Sequence, residues 1–149
     1  MSDPFEILLV EDNPNDVELT LHTLGKCNLS NRAFVVRDGV EAIDYLFSQG
    51  QYAGRVTENP KVVLLDLKLP KVSGTQVLHR IKSDPRTKSI PVVVLTSSNE
   101  ERDIIESYRL GANSYILKPV DFDQFTSSVK QLGLYWLLAN QSPRLEKCT

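Results

Sequence analysis

The chain has 149 residues, with 17 Lys+Arg against 19 Asp+Glu and a formal net charge of −2. That length suits one domain, since cores normally split only beyond about 250 residues. Apolar types make up 41% and charged types 24%, a globular balance, and the absence of a basic stripe argues against a grip on nucleic acid through its phosphates. Cys27 and Cys148 have neither zinc nor disulfide spacing and read as reduced thiols. No apolar run approaches the ~20 residues of a membrane span, and Met-Ser-Asp-Pro lacks the regions of a signal peptide. A cytoplasmic protein with no membrane partner is therefore expected.

Along the chain the apolar periodicity alternates. Phe5 to Val10 is an almost wholly apolar run fit for a strand buried on both faces, and it leads into Glu11-Asp12. Asn13-Pro14 offers a helix cap followed by proline at the first helical position, and Val17, Leu21 and Leu24 recur at helical spacing. Ala33 to Val36 reads as a weaker strand. Asp38 with Glu41 has capping-box spacing before Val40, Ile43 and Leu46/Phe47. After the long 48–60 connection, the strand Val62 to Leu65 runs into Asp66. Ser73 with Gln76 then opens a helix carrying Val77, Leu78 and Ile81. The strand Val92 to Leu95 ends on Thr96-Ser97, and Ser98 with Glu101 precedes Ile104, Ile105, Tyr108 and Leu110. Tyr115 to Leu117 leads to Lys118-Pro119, and Asp121 with Gln124 opens a last helix bearing Phe122, Phe125, Val129, Leu132 and Trp136.

Five strand–helix units in alternation predict a parallel sheet with helices on both faces. Such a sheet binds ligands beyond the carboxyl ends of its strands. Glu11, Asp12, Asp66, Thr96 and Lys118 would all converge there. Two carboxylates ~5 Å apart repel by roughly 3 kcal/mol at an effective dielectric of about 20. A divalent cation together with Lys118 neutralises the three acids, and hard oxygen ligands suit Mg2+. A carboxylate beside that metal can attack a phosphoryl group and form an acyl phosphate. The metal, Lys118 and the Thr96 hydroxyl with the Ser97 N–H would then address its equatorial oxygens.

At these residues a resemblance is plain. Leu-Val-Glu-Asp-Asn-Pro (9–14), Leu-Leu-Asp-Leu-Lys-Leu-Pro (64–70) with Gly74 following, Val-Val-Leu-Thr-Ser (93–97) and Leu-Lys-Pro (117–119) resemble the receiver domain of two-component response regulators, over about residues 5 to 138. The resemblance implies a flavodoxin-like α/β fold with strand order 2-1-3-4-5. It implies Asp66 as the phosphoacceptor, supplied by a histidine kinase or phosphotransfer protein. It implies Glu11, Asp12, Asp66 and the Lys68 backbone carbonyl as metal ligands, Thr96 and Tyr115 as switch residues, and a cis bond before Pro119 that turns Lys118 into the site. A narrower likeness lies in Asn-Pro-x-Asp (13–16), the 48–60 connection and the tail Leu-Gly-Leu-Tyr-Trp-Leu-Leu (132–138). These look like stand-alone regulators paired with cyanobacterial phytochrome kinases.

Singly, each residue has a bland reading. Glu11-Asp12 can favour a helix dipole, Asp66 can cap, Thr96 can end a strand and Lys118 can face solvent. It is their joint order that carries the site. His22 and His79 read as surface or helix-packing residues, and Lys82, Arg86 and Lys88 as a solvated face. An aspartyl-phosphate phosphatase is a rival, but such enzymes often need an acid two residues after the nucleophile, where this chain has Lys68. A dinucleotide-binding domain lacks its glycine-rich turn. A degenerate receiver that only binds partners is disfavoured by the complete acid, hydroxyl and lysine set.

If the last helix ends near Leu138, the tail 139–149 is too short for an output domain, so the signal would pass by protein–protein contact. Phe122, Phe125, Val129, Leu132 and Trp136 form one inward stripe, while Leu134 and Leu138 fall opposite, with Tyr135 and Leu137 between. A helix apolar all round predicts a homodimer or kinase-docking surface, or a folded-back tail. Phosphorylation would add charge, draw Thr96 toward the new oxygens and admit the Tyr115 ring behind it. That would bias a two-state equilibrium of the face made by helix four, strand five and helix five.

Overall fold

A strand apolar at every position is stable only where both sheet faces are covered. The computed structural model, which describes residues 6–55, 58–97 and 100–134, meets that requirement with five strand–helix units. In order they are β1 (Ile7–Val10), α1 (Pro14–Gly25), β2 (Ala33–Val36), α2 (Gly39–Leu46), β3 (Val62–Asp66), α3 (Gly74–Ser83), β4 (Val92–Thr96), α4 (Glu101–Arg109), β5 (Ser114–Leu117) and α5 (Phe122–Gln131). The sheet is wholly parallel with order β2-β1-β3-β4-β5. Its three central strands, β1, β3 and β4, are buried throughout.

Alternate strand residues feed two core layers. Ile7, Leu9, Leu64, Val93, Leu95 and Ile116 pack with Val17 and Leu24 of α1 and Phe125 and Val129 of α5. Leu8, Val10, Val63, Leu65, Val92 and Val94 pack with Ala42 and Leu46 of α2 and Val77, Leu78 and Ile81 of α3. Capping side chains fix where most helices begin. Asn13 accepts from Asn15 and Asp16, Asp38 from Glu41 and Asp121 from Gln124, while Ser73 and Gln76 form a reciprocal capping box.

Some expectations are corrected. The helix after β4 starts at Glu101 behind Glu100, which makes no side-chain cap bond; Ser98, the expected box partner of Glu101, lies outside the described residues. The apolar set after β4 is divided: Ile104 and Leu110 are half-buried, Leu110 against the α2/α3 core layer, but Ile105 and Tyr108 are each 49% exposed, and the residue that α4 buries fully is Ser107, whose Oγ finds no hydrogen-bond partner among the described residues. The last helix stops at Gln131 rather than near Leu138, because Gly133 adopts a left-handed φ of 75° that ends it. The Leu134 N–H then turns back to the Val129 carbonyl, and its side chain packs in the α1/α5 core layer, 9% exposed. Leu134 is therefore core rather than an outward interface residue; Tyr135, Trp136, Leu137 and Leu138 lie outside the described residues.

Lys82 does not belong to a solvated face. It is half-buried, and its ammonium donates to the Lys88 carbonyl (3.2 Å), the Ile90 carbonyl (2.7 Å) and Asn113 Oδ1 (2.9 Å); burial lowers its pKa. His22 and His79 are exposed, as expected. The first part of the 48–60 connection, through Arg55, is pinned to α2. Tyr52 donates to Glu41 at 2.7 Å, and Arg55 lies 3.9 Å over the Tyr45 ring while donating to the Tyr45 carbonyl.

Two predictions follow from this packing. A Cβ on Gly74 would overlap the Asp66 carbonyl oxygen and Leu67 Cα, so Gly74→Ala should cost about 1–3 kcal/mol in urea unfolding through forced displacement of the loop after Asp66. Lys82→Met should cost a similar ~1–3 kcal/mol by stranding its acceptors, while Lys88→Met, at an exposed position, should stay within about 0.5 kcal/mol.

Candidate functional site

The register of the two central strands creates the site. Val10 of β1 pairs with Leu65 of β3, so the next residues, Glu11 and Asp66, emerge side by side at the carboxyl edge. Both are buried, whereas the following Asp12 faces solvent. One carboxylate oxygen from each of Glu11, Asp12 and Asp66 lies within 4.8 Å of the others. Ionised acids at such spacing repel by roughly 3 kcal/mol per pair at an effective dielectric of about 20, so the trio calls for cations.

One cation comes from the far strand. β5 continues along β4 through the Lys118 N–H, which donates to the Thr96 carbonyl at 2.8 Å. The Lys118–Pro119 peptide bond is cis. The Lys118 ammonium lies 2.6 Å from Glu11 Oε1, 2.9 Å from Asp16 Oδ2 and 3.2 Å from Asp66 Oδ2. Burial opposes its charge, but the bonds to Glu11 and Asp16 and the charges of Asp66 and Glu11 outweigh that and raise its pKa. Burial also pushes the Glu11 carboxyl up to about 7; Lys118 draws it partly down and Asp66 adds to the rise. With Lys118 held cationic, the rise at Glu11 is chiefly the cost of burying its charge, to which the neighbouring Asp66 adds.

The donor set fits a hard divalent cation: three carboxylates, oxygen only, two buried and one open to water. Asp66 Oδ1 accepts the Lys68 N–H at 3.2 Å, which fixes the loop beyond the strand against the carboxylate. Thr96, one step beyond the Asp66–Leu95 pair, is fully buried at the same edge. Tyr115 is half-buried on edge strand β5. It lines a groove with Ile104, Tyr108, Leu117, Gln124 and Gln131.

The fold therefore brings Glu11, Asp12, Asp66, Thr96 and Lys118 to one rim. Sequence reasoning missed Asp16, whose carboxylate reaches Lys118 across 102 positions of chain. The Asn-Pro-x-Asp run held the signal, since an Asn cap with proline behind it fixes the third helical residue at the strand end. Among the described residues no helix is long and apolar enough to cross a membrane.

Comparison with known proteins gives the same picture. The response regulator receiver domain model matches residues 7–130. The probable methanogenesis regulatory protein FilR2 of Methanothrix harundinacea is 42% identical, over 95% of this chain and 89% of its own. Response regulator Rcp1 of Synechocystis is 40% identical over 90% of each chain. The Mn2+-bound crystal form of Rcp1 superposes with a TM-score of 0.72 at 37% identity, covering 91% of this chain and 96% of that one. The bacteriophytochrome response regulator AtBRR is 52% identical with a TM-score of 0.83, over 93% of this chain and 99% of that one. A receiver-domain match over residues 7–130, with relatives 40% and 42% identical over 90% or more of the chain, makes the chain a member of the response regulator receiver family.

Proposed function

We propose that the chain is a phosphoryl-accepting switch of two-component signalling, with Asp66 as its nucleophile. The observation that carries this reading is the position of the Asp66 carboxylate: buried at the end of β3, within 4.8 Å of the Glu11 and Asp12 oxygens and 3.2 Å from the Lys118 ammonium. A bond forms between an Asp66 oxygen and phosphorus as the P–N bond of a donor phosphohistidine breaks, its electron pair leaving on the imidazole nitrogen. Lys118 and the Thr96 hydroxyl, with the Ser97 N–H, engage the phosphoryl oxygens. Glu11, Asp12, Asp66 and the Lys68 carbonyl would hold Mg2+, which supplies neutralising charge to the phosphoryl group. The site turns over no substrate beyond its own phosphorylation and dephosphorylation.

Kinship with Rcp1 and AtBRR supports a histidine kinase as the donor, of the phytochrome type. Output is by protein–protein contact in the cytoplasm, to a downstream protein or phosphotransfer partner. Thr96 turning toward the phosphoryl group, with Tyr115 following, would reshape the groove between α4, β5 and α5. Homodimerisation through the segment beyond Leu134, including Tyr135, Leu137 and Leu138, belongs to the same proposal.

Mass spectrometry of the protein with Mg2+ and acetyl phosphate should show an adduct of ~80 Da, the phosphoryl mass of an aspartyl phosphate, that is absent in Asp66→Asn. No adduct on the wild type would leave a binding module only. By calorimetry, Asp12→Asn should weaken Mg2+ binding by at least about tenfold, the lower bound for groups that merely support metal ligands.

A further inference from the structure

The Asn-Pro-x-Asp run does more than start a helix. The Asn13 carboxamide accepts from the Asn15 and Asp16 N–H groups at 2.9 and 3.2 Å, and Pro14 occupies the first helical position. Asp16 is thereby set as the third residue of α1, with Oδ2 2.9 Å from Lys118 Nζ. An ammonium has three N–H donors. Around this one stand three carboxylates, Glu11, Asp16 and Asp66, at 2.6, 2.9 and 3.2 Å. Asp16 Oδ2 takes a hydrogen bond from the ammonium, whereas Glu11 Oε1 lies at ion-pair distance with no hydrogen-bond partner among the described residues, so Asp16 fixes where the ammonium points.

Phosphorylation turns the Asp66 carboxylate into an acyl phosphate whose phosphoryl oxygens inherit its contact with the ammonium, so Glu11 and Asp16 remain as the anions that hold Lys118 against them. Their burial decides which yields. The Glu11 side chain is 0% exposed, whereas that of Asp16 is 28% exposed. A carboxylate buried without its partner bears the full cost of desolvation, while one open to water is rehydrated as its partner leaves. The Asp16 contact is the least costly to break.

We propose that Asp16 is a positioning residue that holds the Lys118 ammonium at the rim in the unphosphorylated protein and competes with the aspartyl-phosphate oxygens for it. This rests on Asp66 being the phosphoacceptor. Asp16 thus sets how readily the phosphorylated state forms, without touching the phosphoryl group itself. The Asn13 cap and Pro14 serve to aim it.

The test is titration of the full chain with beryllofluoride, an anionic phosphoryl mimic, at saturating Mg2+. Asp16→Asn should bind it roughly two- to fivefold tighter, the range set by a part-exposed ion pair, and Asp16→Glu, which keeps the charge, should return toward wild type. A crystal structure of the wild-type complex should show the Asp16–Lys118 pair opened beyond the ~4 Å of an ion pair. Unchanged or weaker binding by Asp16→Asn, or a pair still closed in the complex, would overturn the proposal. A wild type that binds no beryllofluoride would instead remove the Asp66 reading, and this one with it.

Discussion

The rim of this sheet depends on one ammonium group. Lys118 joins the ends of β1, β3 and β5 and the first turn of α1 through carboxylates that would otherwise repel one another. Buried ion pairs contribute little net stability, because desolvation offsets most of their attraction. Here the arrangement is better understood as preorganisation. The cation stands beside the Asp66 oxygen where a phosphoryl group would add charge, so it is in place when that charge arrives, with its hold on Asp16 left to exchange.

The scaffold under the rim is rigid by comparison. Leu9, Leu64, Val93 and Leu95 on one face, and Leu8, Val63, Leu65 and Val94 on the other, leave the central strands with no solvent-facing side. A register slip of one residue would exchange the two faces and move Glu11 off Asp66. The acid cluster is therefore as precise as the strand pairing beneath it. Gly74 adds the remaining constraint, letting α3 begin in contact with the loop that leaves Asp66.

Much of this was legible in the sequence, because strand and helix periods differ and strand ends are where acids stand out against apolar runs. The five strands, the Asn13, Asp38, Ser73 and Asp121 caps and the converging rim residues were all readable on that ground. What failed did so for tertiary reasons. Lys82 looks like a surface cation until Ile90 and Asn113 come into its reach. Leu134 falls outward only on a helix that runs on, and Gly133 stops it. Ile105 and Tyr108 have helical spacing, but spacing does not say whether a helix lies flat against its sheet. Asp16 was visible as part of a motif, yet its partner is a hundred residues away, and no local pattern gives that distance.

The shallow seating of α4 bears on how a signal would leave the molecule. A helix whose buried residue is a serine with no hydrogen-bond partner among the described residues gains little from its place on the sheet. Segments of that kind detach at a small fraction of the global unfolding free energy. A charge change at the rim, too weak to disturb the strands, would then find in α4 a wall that keeps Ile105 and Tyr108 open to solvent.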